Sequence, residues 1–297
     1  MQFGKVTLVG VGLLGGSLGR ALRTRKLARE VVGFVRRSQA AADCAQVGAT
    51  DHTTANLYAA VTDADLVVLC TPLGQMGPLT RQFLSALKPK AVVTDVGSTK
   101  ADLVAELEPL LAGAGAAFVG SHPLAGGEKT GVLAARADLF EGATCVVTPT
   151  ARTDLAALQR VSSLWSAVGG TVLSLTPAAH DEFVSRSSHL PHVVAAELAN
   201  YVLSPAHSPL QAQLCASGFR DTTRIASGSP EVWRDIALSN RAALSHVLSV
   251  FIGGLEEFRR SLDSSDAAGL LEYFARAKSR RDAWSQPTEC ASTAENS

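Results

Sequence analysis

The chain has 297 residues, 46% of them hydrophobic and 18% charged, the balance of an ordinary globular protein with room for about two domains. Its 27 basic and 27 acidic residues cancel, so no charge excess points to nucleic acid or to an anionic membrane. No apolar run approaches the ~20 residues of a membrane helix, and the start MQFGKVTLVG reads as a strand rather than a signal peptide. Five scattered cysteines, an odd number, fit buried free thiols in a reducing cytoplasm better than a disulfide framework or a zinc site.

Lys5–Gly10 is a short β-branched run and predicts a buried strand. The sequence Gly10-Val11-Gly12-Leu13-Leu14-Gly15 follows at once, and helical spacing begins at Ser17. A strand, then G-x-G-x-x-G, then a helix is the context in which this motif signals dinucleotide binding. Gly10 permits the tight turn, Gly12 lets backbone N–H groups approach a pyrophosphate, and Gly15 lets the helix pack close to the strand. The next strand is Val31–Val35. An NAD site usually places an acid about twenty residues past the glycines, to hold the ribose 2′-hydroxyl. Here that place falls on Val35, followed by Arg36, Arg37 and Ser38. Two guanidiniums and a hydroxyl suit a 2′-phosphate, so NADP is the expected cofactor, with NAD the alternative.

Asp65–Cys70 reads as another buried strand, ending in Thr71-Pro72 where nucleotides lie in open α/β sheets. Ala91–Thr94 is strand-like and runs into Asp95-Val96-Gly97-Ser98-Thr99-Lys100. Ser98 there either caps the helix Lys100–Leu111 or faces a nicotinamide or substrate. Ala116–Gly120 delivers His122 into a loop of small residues, Val119–Gly131, where a catalytic group is as plausible as a tight turn. Thr144–Thr148 and Thr171–Leu175 complete the strands, separated by the amphipathic Leu155–Val168. Alternating strands and helices imply a mainly parallel sheet covered on both faces.

After Pro177 the pattern is helical: Ala178–Ser204, Leu210–Ala226, a single long helix over Glu231–Asp263, and Ala267–Ala283. The expected organisation is a dinucleotide-binding domain over 1–175, a helical domain over 176–284, and a polar, disordered tail over 285–297. A helix of more than thirty residues in so small a domain is either the domain core or packs against a second copy, and a helical domain that cannot cover both of its faces by itself suggests a homodimer. His189 and His192 share a helix face. No third ligand stands at a convincing spacing, so no metal is expected.

Seven stretches are similar to the prephenate/arogenate dehydrogenases of tyrosine biosynthesis, in the family's order: Gly10–Leu18, Thr94–Lys100, Gly120–Val132, Leu139–Thr150, Ser188–His192, Gly218–Ala226 and Glu231–Ile236. The resemblance covers roughly residues 5 to 280 and is most specific in GSHPLAG and SHLPH. It implies a Rossmann domain followed by a helical dimerisation domain. It also implies that His122 is the catalytic histidine on the ring hydroxyl and that Ser98 stands beside it and the nicotinamide. Arg224 would bind the ring carboxylate, and His192, with His189 and Glu128, would line the substrate pocket. Gly127 departs from relatives with Thr there. These stretches include neither a chorismate mutase nor an ACT domain, so feedback through such a domain is not expected. The chemistry agrees: oxidising a ring alcohol needs a base on its hydroxyl, a histidine near ~6.5 suits that role, and an arginine orients a carboxylate. Two other readings share parts of this plan. One is a β-hydroxyacid dehydrogenase or imine reductase, which would carry a Lys or Asp on the interdomain helix; the other is a non-catalytic NADP sensor.

Overall fold

A computed structural model describes residues 3–127 and 129–285. Its first part alternates as the sequence pattern predicts. The elements are β1 (Phe3–Val9), α1 (Leu13–Thr24), β2 (Ala28–Phe34), α2 (Ser38–Val47), β3 (His52–Thr54), α3 (Leu57–Val61) and β4 (Leu66–Leu69). They continue with α4 (Leu73–Phe83), β5 (Val92–Asp95), α5 (Ala101–Gly113), β6 (Ala117–Pro123), β7 (Thr144–Thr148), α6 (Leu155–Ala167) and β8 (Thr171–Ser174). The eight strands form one sheet in the order β3-β2-β1-β4-β5-β6-β7-β8. The first six are parallel and follow the 3-2-1-4-5-6 order of a doubly wound dinucleotide-binding sheet. β7 runs antiparallel to β6, and β8 runs parallel to β7.

Alternation along β1 explains how one sheet holds two cores. Val6 and Leu8 pack on one side with Leu18, Leu22, Phe140 and Trp165. Val9 packs on the other with Leu69, Met76, Phe83 and Leu107. Each fully buried side chain of this size contributes ~1.5–3 kcal/mol. Both faces of the sheet are therefore dry, as its near-continuous apolar strands require.

The helical part comprises α7 (Pro177–Val184), a π-helical turn Ser185–His189, α8 (Leu190–Val202), α9 (Leu210–Gln213) and α10 (Ser217–Thr223). A 3₁₀ turn Arg224–Ser227 follows, then α11 (Pro230–Ser239), α12 (Arg241–Asp263) and α13 (Ala267–Ser285). The single helix expected over Glu231–Asp263 is two helices, broken at Asn240. That residue is buried, and its amide donates to the Asp181 carbonyl at 2.8 Å. A tertiary hydrogen bond has overridden a continuous apolar period. The π turn precedes Pro191, whose ring supplies no backbone N–H. By compactness the chain divides into Met1–Leu244 and Ser245–Ser297. Within the second unit Phe258, Tyr273 and Phe274 form an aromatic cluster, with centroids 4.9–5.7 Å apart. Residues 286–297, most of the expected tail, lie outside the described residues. Among the described residues no single helix is long and apolar enough to cross a membrane.

Candidate active site

The strand order reverses between β1 and β4, and a cleft of about 770 Å³ opens there at the carboxyl ends of the strands. Gly10, Gly12, Thr71 and Pro72 line it. Gly10 has φ +93°, a left-handed conformation that disfavours any side chain. A Cβ at Gly15 would lie 2.4 Å from the Gly10 carbonyl oxygen, so helix and turn touch there. A Cβ at Gly12, in contrast, would meet no described atom within 4 Å. Gly12 is thus not required by protein packing; it keeps the mouth of the cleft open. The N-terminus of α1 has no side-chain cap among the described residues, and its first N–H groups remain for an anion. The Thr71 hydroxyl is buried in the same cleft with no partner among the described residues. Free helix N–H groups, an open glycine and an orphaned hydroxyl fit a dinucleotide pyrophosphate.

Arg36 and Arg37 line the same cleft, while Ser38 opens α2 and is not among the lining residues. Asp43, from the second turn of α2, also lines it. The usual acid position falls on Val35, but helical folding brings this carboxylate back to the cleft.

A second cleft of about 490 Å³ adjoins the first, lined by Leu13, Leu14, Thr71, Pro72, Gly97 and Ser98 on one side and by Val232 and Asp235 of α11 on the other. Ser98 does not cap α5. The Lys100 and Ala101 N–H groups are instead bound by the Asp181 carboxylate, at 2.7 and 2.8 Å. Ser98 is left among the residues that line the cleft.

A buried polar cluster is tied to the segment that carries Ser98, and its His122 is not among the residues lining either cleft. β6 is longer than the pattern predicted, because antiparallel β7 pairs with it out to Pro123; His122 therefore stands on the strand opposite Val146, not in a loop. Its Nδ1 is 2.9 Å from His180 Nε2. His180 Nδ1 is 2.7 Å from Asp181 Oδ1. Burial, reinforced by Lys100, His180 and His189, holds His122 well below the usual histidine value. Burial opposes ionisation of Asp181, but the hydrogen bonds from His180, Ala101 and Lys100 outweigh it and hold the carboxyl below its usual value.

The strand end itself is fixed by a buried ion pair. Lys100 Nζ contacts Asp95 Oδ2, and both side chains are wholly inaccessible. Lys100 also donates to the Ser121 carbonyl at 2.9 Å, and Asp95 accepts the Ser121 and Gly97 N–H groups at 2.9 and 2.8 Å. The residue before His122 is thereby clamped to the loop that carries Ser98.

His189 accepts at Nδ1 from the Asn240 amide, 3.2 Å away, and its Nε2 is buried without a partner among the described residues. Burial lowers its pKa to about 4, against the pull of Asp181. His192 is stacked on Trp233, with centroids 3.3 Å apart, and burial lowers its pKa as well. The structure thus gathers His122, His189 and His192 around α7, α8 and α11. Arg224 begins the 3₁₀ turn before α11 and is exposed. Glu128 lies outside the described residues. Sequence reasoning missed His180, Asp181, Asn240 and Trp233. Only a His-Asp pair at the first helix and a Trp inside EVWRDI were visible, without their partners. No group of three or more metal-ligating side chains occurs among the described residues.

The fold and the two adjoining clefts define a Rossmann-type dinucleotide-binding protein. Residues 18–174 match the family described as prephenate dehydrogenase, nucleotide-binding domain, and residues 176–276 match its dimerisation domain. The chain belongs to the prephenate dehydrogenase family. It is 33% identical over 279 residues to a prephenate dehydrogenase of Bacillus subtilis, covering 93% of this chain and 75% of that one. Among solved structures it is similar to Aquifex aeolicus prephenate dehydrogenase in complex with hydroxyphenyl propionate and NAD+, with TM-score 0.88, 31% identity, and coverage of 95% and 98% of the two chains. It is also similar to Synechocystis arogenate dehydrogenase, with TM-score 0.79, 30% identity, and coverage of 94% and 99%.

Proposed function

We propose that the protein catalyses the oxidative decarboxylation of prephenate or arogenate, giving 4-hydroxyphenylpyruvate or tyrosine, with NADP preferred over NAD. The observation that carries this reading is His122: a histidine buried and held neutral at the carboxyl end of β6, next to Ser121, whose N–H Asp95 binds at the start of the loop that brings Ser98 to the cleft. A neutral imidazole in that position accepts the proton of a ring hydroxyl. The bound nicotinamide supplies the hydride acceptor. As the ring aromatises, its carboxylate departs as CO₂, so the protein must orient the ring and exclude water.

Gly10, Gly12, Leu13, Leu14 and Gly15 would hold the pyrophosphate with the N-terminus of α1, joined by Thr71 and Pro72. Arg36 and Arg37, with Ser38, would take a 2′-phosphate. Arg224 would bind the ring carboxylate. The neutral, unpartnered Nε2 of His189 offers a donor to the substrate, and Glu128 and His192 complete its pocket. α8 carries no lysine, which speaks against a hydroxyacid dehydrogenase or an imine reductase. The matched dimerisation domain and the exposed Val250, Ile252, Leu255 and Leu262 on α12 support a homodimer through the helical domain. Free thiols at Cys44, Cys70, Cys145 and Cys215 suit the cytoplasm.

The test is His122→Asn. Cofactor affinity should stay within a factor of about two, while kcat falls by about 10²–10⁴. Near-parental turnover would remove His122 from the chemistry. Steady-state kinetics on both substrates with both cofactors decides the preferences.

A further inference from the structure

We propose that His180 and Asp181 are positioning residues that fix which nitrogen of His122 carries its proton, a role that rests on His122 being the base. A base can take a proton only through an unprotonated nitrogen. An isolated neutral imidazole has two tautomers, and only one of them leaves the substrate-facing nitrogen free. Here the hydrogen-bond chain leaves no choice.

The chain starts at a group that can only accept. Asp181 Oδ1 takes the Lys100 N–H at 2.7 Å, and Oδ2 takes the Ala101 N–H at 2.8 Å. Those two donors open α5, whose N-terminal dipole adds to their preference for negative charge. The carboxylate is therefore an acceptor toward His180 as well, and His180 Nδ1, 2.7 Å from Oδ1, must carry a proton. With its proton on Nδ1, His180 presents the lone pair of Nε2. That lone pair faces His122 Nδ1 at 2.9 Å, so Nδ1 of His122 is the donor. The proton of His122 is thus on Nδ1, and Nε2 is the free base. His180 is completely inaccessible, and water cannot substitute for it in this chain.

The same chain serves the step that follows. When His122 Nε2 takes the hydroxyl proton, the substrate O–H bond breaks and an N–H bond forms. The imidazolium so formed still donates from Nδ1 to His180, with the Asp181 carboxylate one hydrogen bond further on. Asp181 also caps α5, which follows the Ser98 loop, so one carboxylate sets the base and the start of that helix together.

Two full-length variants test the proposal. In Asp181→Leu the side chain has no acceptor, so nothing holds the proton of His180 on Nδ1. The chain then has no fixed start, and His122 populates both tautomers. Expected are a fall in kcat of about tenfold or more, cofactor Kd within a factor of about two, and histidine ¹⁵N NMR of the substrate-free protein showing the proton of His122 shared between Nδ1 and Nε2. His180→Phe leaves the α5 cap intact, so it folds even if the first variant does not. It should show both tautomers of His122 and a kcat reduced by about tenfold or more. A parental His122 spectrum in both variants would overturn the proposal, whatever happens to turnover. So would a parental kcat in both. The spectrum is read without substrate, so it stands apart from the His122→Asn test of the base itself.

Discussion

Replacing Lys100 by Met is the most demanding test of how this site is held. Lys100 and Asp95 are both completely inaccessible, and the ammonium contacts Asp95 Oδ2 directly. Burial lowers the Lys100 pKa, and the attraction of Asp95 only partly offsets this, so desolvation is the larger effect. The pair is therefore worth little compared with an apolar filling of the same space, yet breaking it is costly. Met fills the volume and leaves Asp95 a buried carboxylate with only the Gly97 and Ser121 N–H groups as donors. It also removes the donor to the Ser121 carbonyl. An uncompensated buried charge of this kind costs about 3–5 kcal/mol. Against a total stability of about 5–15 kcal/mol, that is a large fraction. The assay is urea unfolding followed by fluorescence, using the fully buried Trp165 as reporter of the sheet domain. The midpoint should fall with little change in slope. Adding Asp95→Asn should recover part of the loss, because the second change removes the stranded charge. A loss below about 1 kcal/mol, or a double variant whose cost is the plain sum of the two, would refute the account of the pair.

Two further outcomes follow from the site. His189, with its pKa lowered to about 4, stays neutral in the folded chain while the unfolded chain takes up a proton near ~6.5. The unfolded state thus binds more protons between these values, and stability falls as the pH drops through that window, by on the order of 3 kcal/mol at its lower end. His189→Asn should flatten the dependence of the urea midpoint between about pH 7 and pH 4; parallel curves for the two proteins would refute it. Replacing Arg36 and Arg37 by Ala should raise the KM for NADP by about tenfold or more and leave that for NAD nearly unchanged, since the two guanidiniums would meet only the 2′-phosphate. An equal rise for both cofactors would instead make the arginines general supports of the cleft.

Much of the dinucleotide half can be read along the chain because its determinants are local. A strand that must be dry on both faces shows as an apolar run, and a turn that must approach a pyrophosphate shows as glycines at fixed spacing. Gly10 and Gly15 behave as that spacing implies, one by its φ and the other by its contact. β3, with three residues at the sheet edge, carries too short a pattern to be seen.

The sequence by itself determined the alternating sheet, the cofactor loop, the switch to helices after Pro177, and, through its family motifs, the proposal of His122 with Ser98 and Arg224. Only the tertiary structure decided what surrounds His122. His180 and Asp181 are 58 and 59 residues further along, and Asn240 is farther still. Nothing periodic links them, because their bonds are to side chains and backbone groups brought together by packing. The same reason explains the break at Asn240, where a buried amide satisfied by Asp181 ends a helix that its apolar spacing would have continued. It also explains the extension of β6 to Pro123, which depends on pairing with β7 and moves His122 from a glycine-rich loop onto the strand.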